Sequence, residues 1–112
     1  MRKFWRSGSA KTTEPVQTQG CDRNAVRRHI VFCGQAQGVG FRYYSVQKAQ
    51  ALGLTGWVRN RSDGTVEMEV QGRENEIDTL ICFLQSRQWI EIEHMDMKNI
   101  PVIPEQNFRE RW

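Results

Sequence analysis

The sequence predicts an α+β fold in which an antiparallel sheet is covered on one face by two helices. Three observations carry this reading. Short stretches alternate apolar and polar residues with period two, two longer stretches hold apolar residues at helical spacing, and their order is strand, helix, strand, strand, helix, strand. Two such halves make a split βαβ unit.

The first strand is expected at His29-Ile30-Val31-Phe32-Cys33, which is short, apolar and β-branched. A glycine-bearing loop, residues 34–42, leads into a helix from Tyr43 to Leu52. Its expected inner positions are Tyr43, Val46, Ala49 or Gln50 and Leu52, and Gly53 stops it. Thr55–Arg61 and Thr65–Val70 form a hairpin through Ser62-Asp63-Gly64, since Asp-Gly is a strong turn signal. Val66, Met68 and Val70 alternate with Glu67, Glu69 and Gln71, giving that strand one buried and one wet face.

The second helix is expected over Arg73–Gln85, with Ile77, Leu80, Ile81 and Leu84 in one stripe. Glu74, Glu76 and Asp78 open it, where negative charge suits the dipole and no metal cluster is indicated. A fourth strand starts at Ile90 and Ile92 and runs on through Met95 and Met97, changing face near His94 at a bulge. Pro101 and Pro104 mark a loop, and a short last strand around Phe108 closes the sheet.

The 112 residues fit one domain. Residues 1–25 show no apolar periodicity and read as a disordered, basic and polar tail, leaving residues 26–112 as the folded domain. No stretch approaches the roughly 20 apolar residues of a membrane-spanning helix, so no membrane partner is expected. The net charge is +3, but residues 1–28 carry +5 and the remainder −2. A slightly acidic body argues against a nucleic-acid face. Cys21, Cys33 and Cys82 are too few and too scattered for a disulfide framework or a zinc clip. Cys33 and Cys82 are expected as small buried side chains in a reducing, cytoplasmic setting.

Three glycines in seven residues, Gly34 to Gly40, sit between a strand and a helix. Glycine admits positive φ and close approach of a ligand to the main chain. Such a loop can turn N–H groups inward as an anion nest, and the following helix adds its free N–H groups and positive dipole end. Arg42 falls at that helix start, where a cation is disfavoured for stability but suited to sharing an anion with the loop. Its planar fork can take two phosphate oxygens at once. A nucleotide P-loop is excluded because Phe41-Arg42, rather than Lys-Ser or Lys-Thr, follows Gly40. Residues 38–44 partly echo the RNA-recognition strand motif, but they run from a loop into a helix pattern.

Gly34-Gln35-Ala36-Gln37-Gly38-Val39-Gly40-Phe41-Arg42 resembles the first signature of the acylphosphatase family, with Ala36 where valine is usual. Gly56-Trp57-Val58-Arg59-Asn60, followed by Gly64, Val66 and Gly72, is similar to its second signature. The resemblance covers about residues 27–110. It implies a ferredoxin-like βαββαβ sandwich with four or five strands and two helices. It also implies hydrolysis of a small acyl phosphate without metal or cofactor, with inorganic phosphate or sulfate as competing anions. By the same resemblance Arg42 binds the phosphate, Asn60 positions the attacking water, and the backbone from Gln35 through Ala36, Gln37, Gly38, Val39 and Gly40 to Phe41 is the phosphate cradle. Glu110 departs from the family, standing where an apolar residue is usual, so the last strand is expected to be short, frayed or shifted.

The chemistry suits these residues, because phosphoryl transfer depends mainly on positioning and charge stabilisation. A carboxylate leaving group needs no general acid, so His29 and His94 are read as structural. A monomer is expected. The alternative is a non-catalytic module of this shape that binds RNA or another anion. Such domains also open larger maturation proteins, and the length of this chain argues against that setting.

Overall fold

In the computed structural model, which describes residues 24–112, the first strand is longer than the sequence marks: β1 spans Ala25–Gln35. The expected tail, with Cys21, lies outside the described residues except at its last two positions. After β1 come α1 (Phe41–Ala51), β2 (Thr55–Asn60), β3 (Val66–Arg73), α2 (Glu74–Gln85), β4 (Glu91–Ile100) and β5 (Phe108–Glu110). They form a five-stranded sheet in the order β4-β1-β3-β2-β5. The pairs among the first four are antiparallel, but β5 runs parallel to β2, so the sheet expected to be antiparallel is mixed at one edge.

The expected change of face in β4 has its cause in the pairing. Cys33 pairs with His94 while Gly34 pairs with Ile92, so Glu93 is the extra residue of a bulge. Ile92 and Met95 can then both turn inward against the core.

Ile30 and Phe32 of β1, Val58 of β2, and Val66, Met68 and Val70 of β3 point to one face and are fully buried. Both helices lie there. α2 buries Ile77, Leu80, Ile81 and Leu84, the stripe its sequence marks. Arg28, on the same face, binds Glu74 and Asp78 and ties β1 to the start of α2.

α1 begins two residues earlier than its apolar pattern indicates. Its buried stripe is Phe41, Ser45 and Ala49, at i, i+4 and i+8. Tyr43, expected in the core, lies on the opposite side of the helix from Phe41 and is 58% exposed. Val46 and Leu52 flank the stripe and are partly buried. Cys82 is also corrected: it is exposed on α2, and Cys33 is half-buried. No helix among the described residues is long and apolar enough to cross a membrane.

The opposite face of the sheet is polar and is crossed by the segment from β4 to β5. These strands occupy the two edges, about four strand spacings or roughly 19 Å apart. The intervening residues, 101–107, reach only about 23 Å when extended, so this segment is pulled into a strap. Gln71 grips it through both ends of its amide, donating to the carbonyl of Ile103 at 2.8 Å and accepting from its N–H at 3.0 Å. Arg27 reaches Glu105 at 2.7 Å and Glu69 at 2.9 Å, and also Gln71 at 3.1 Å. Burial opposes the Arg27 charge most strongly, but Glu105 and Glu69 outweigh it and raise its pKa above the ordinary value. Trp57 is buried on this face, packed under Arg111 and Arg59.

Candidate functional site

The loop after β1 turns sharply at two glycines. Gly38 adopts φ +79° and Gly40 φ +82°, and Gly40 is also the N-cap of α1. A Cβ on Gly38 would meet nothing, so glycine is needed there for its conformation alone. At Gly40 the space is limited too, because a Cβ would stand 3.3 Å from the Tyr44 ring. Among the described residues, the N–H groups of Gln37, Gly38, Val39 and Gly40 make none of the main-chain turn and cap contacts. The first N–H groups of α1 likewise have no acceptor within the helix. No acidic side chain occupies its first turn.

Arg42 is the second residue of α1, and Asn60 is the last residue of β2. The register sets Asn60 beside Val66 on the helix-bearing face, so both side chains are on the same side of the sheet. With Ala36, Gly38, Gly40 and Glu110 they line one open hollow of about 160 Å³. The Asn60 Oδ1 atom is buried and has no hydrogen-bond partner. A buried amide oxygen without a donor is costly, and a bound water is the natural partner for it.

The parts of the expected cradle do different jobs. Ala36 and Phe41 are buried and line the hollow with their glycine neighbours. Gln35 ends β1 and is exposed, outside the residues that line the hollow. Gln37 turns its amide to the β2–β3 hairpin, donating to the carbonyls of Arg61 and Thr65, each at 2.8 Å. It therefore fixes the distance between the loop and the strand end that carries Asn60. Val39 lines a neighbouring hollow instead.

Two neighbours of Arg42 escape the sequence reading. Glu110 Oε1 lies 3.8 Å from Arg42 Nη1, and the Trp112 ring stacks on the guanidinium at 4.1 Å. Both come from β5 or just beyond it. Only the parallel register, which pairs Val58 with Glu110, turns that carboxylate toward the hollow. The sequence signal was the departure of Glu110 from the family pattern.

The segment that echoes an RNA-binding strand is not a strand. β1 has ended at Gln35 and α1 has begun at Phe41, so the aromatic residues cannot form a stacking surface in mid-sheet.

Comparison with known proteins gives the family of this chain. The family model described as acylphosphatase matches residues 28–110. An acylphosphatase of Bifidobacterium longum is 46% identical over 83 residues, covering 73% of this chain and 86% of that protein. The solved structure of an acylphosphatase from Coxiella burnetii superposes with a TM-score of 0.73 at 33% identity, covering 80% of this chain and 95% of the other. The crystal structure of acylphosphatase from Bacillus subtilis gives 0.72 at 27% identity, covering 78% and 99%. The chain belongs to the acylphosphatase family and is, like its relatives, a hydrolase.

Proposed function

We propose that this chain hydrolyses acyl phosphates to a carboxylate and inorganic phosphate, with Arg42 and the 35–41 loop holding the phosphoryl group and Asn60 holding the water. The observation that carries this reading is that the loop glycines Gly38 and Gly40, Arg42 at a helix start, and Asn60 with its buried, unpartnered amide oxygen line one hollow. Residues 26–112 act as the catalytic domain, in a monomer placed in the cytoplasm. Nucleic acid and membrane take no part.

The phosphoryl group carries its charge on three equatorial oxygens in the transition state, and a fixed cation with aimed N–H donors meets that charge without reorganising. Asn60 accepts from the water and orients it in line with the scissile bond. The water oxygen bonds to phosphorus, and the P–O bond to the acyl group breaks. The bonding pair leaves on the carboxylate. A phosphate oxygen takes one water proton, so an acyl phosphate dianion yields a carboxylate and dihydrogen phosphate. No cofactor or metal is called on in this scheme.

The test is hydrolysis of benzoyl phosphate in the presence of EDTA. Turnover inhibited competitively by inorganic phosphate or sulfate is expected. Absence of turnover together with salt-dependent RNA binding would overturn the reading in favour of a binding module.

A further inference from the structure

We infer that a second hollow, on the far side of the phosphate loop from Asn60, receives the acyl group of the substrate and selects acyl groups bearing a second carboxylate, anchored by Arg87. This rests on the hydrolase reading above and names the class of substrate for that site.

The hollow has a volume of about 260 Å³ and is lined by Val39, Tyr44, Ser86, Arg87 and Trp89, among others. It adjoins the phosphate site through one strip of chain. Val39 faces it, while Gly38 and Gly40 on either side face the first hollow. Tyr43 lines the first and Tyr44 the second, with their rings 5.6 Å apart and edge to face. The width of a single loop therefore separates the two.

The reaction geometry selects this direction. Nucleophile and leaving group lie roughly in line through phosphorus. The loop rises from β1, and Asn60 stands on the β2 side of it. The connection that carries Arg87 and Trp89 leads into β4, on the other side of β1. Water arriving from Asn60 expels the acyl oxygen toward this second hollow.

Arg87 gives the hollow its selectivity. Its guanidinium is stacked 4.5 Å over the Phe83 ring and 5.8 Å over the Tyr44 ring, which fixes its position. It forms no ion pair among the described residues, and its Nε is buried without a hydrogen-bond partner. A cation placed near the end of α2 for the helix dipole alone would be expected to donate to the last carbonyls. Those of Cys82, Phe83 and Leu84 are met instead by the main-chain N–H groups of Ser86 and Arg87. A guanidinium stacked on an aromatic ring, with no ion pair among the described residues, suits a carboxylate, which can accept from its fork. Trp89, 69% exposed, offers an apolar wall for the methylene chain between the two ends.

The experiment measures kcat/KM for succinyl phosphate, butyryl phosphate and acetyl phosphate with the parent protein and with Arg87→Met and Arg87→Lys. Succinyl and butyryl groups have the same number of carbons and differ in the terminal carboxylate. The parent is expected to prefer succinyl over butyryl phosphate by about tenfold. Arg87→Met should abolish that preference, leaving butyryl and acetyl phosphate within about twofold of the parent, and Arg87→Lys should retain part of it. The two substrates without a second carboxylate show whether each variant is folded and active. Equal rates for succinyl and butyryl phosphate in the parent, or an equal fall for all three in Arg87→Met, overturns the inference and leaves the hydrolase reading standing. Failure of the parent to hydrolyse any of the three overturns both.

Discussion

Glu110 Oε1 stands 3.8 Å from Arg42 Nη1, and both residues line the hollow proposed to hold the phosphoryl group. A carboxylate there competes with the incoming phosphate for the same guanidinium. Glu110→Gln should therefore tighten competitive inhibition by inorganic phosphate. The pair is partly exposed, so the gain should be about twofold, in keeping with roughly 0.5 kcal/mol for a solvated ion pair. Unchanged or weaker inhibition would show that Glu110 does not compete for Arg42.

The two central residues should fail in different ways. Arg42→Ala is expected to lower kcat/KM on benzoyl phosphate by about a hundred- to a thousandfold and to weaken phosphate inhibition sharply. Asn60→Ala should lose a similar factor in kcat while phosphate still inhibits nearly as well. Parent-like turnover by Asn60→Ala would remove the water-holding role.

On the opposite face, Arg27 has its side chain 1% exposed between Glu69 and Glu105. Replacing it by alanine strands both carboxylates and releases the strap. A loss of about 3 kcal/mol in urea denaturation is expected, at the low end for a broken buried pair because both acids keep some solvent. A shift under about 1 kcal/mol would mean that Gln71 holds the strap alone.

The same face should report on acid stability. Burial pushes the Glu67 carboxyl up, but hydrogen bonds from His29 and Arg59, at 2.7 Å each, and their charges bring it below its usual 4.5. In that window the unfolded chain binds a proton that the folded one does not. The stabilisation is complete above about 4.5 and is lost as pH falls further. Between pH 6 and 3 the melting temperature of Glu67→Gln should fall less steeply than that of the parent. Parallel curves would show that Glu67 contributes nothing to acid unfolding.

Most of this arrangement was legible because local patterns and the tertiary structure agree. The stripe of α2 and the alternation of β3 each state one face, and Asp63-Gly64 states the turn. Arg42 was singled out by the glycine loop before it and Asn60 by the resemblance to the second family signature, and the two line one hollow. Three things were hidden for reasons of chemistry. The buried side of α1 includes Ser45 and a small Ala49, so the larger Tyr43 drew the expected stripe toward the exposed side. β5 has three residues, too few to show its direction or register, and Glu110 could not be placed until both were known. Arg27 looked like part of a basic front segment, whereas its role depends on carboxylates 42 and 78 residues away in sequence.

The position of β4 and β5 at the margins of the sheet bears on how this molecule behaves in a crowded solution. An unpaired strand invites another chain to add to it. Here one margin presents the exposed charges of Glu91, Glu93, Asp96 and Lys98 with a bulge among them, and the other is only three residues long. Neither offers the long, flat, uncharged template on which fibrils grow, so the fold carries its own safeguard against self-templated aggregation.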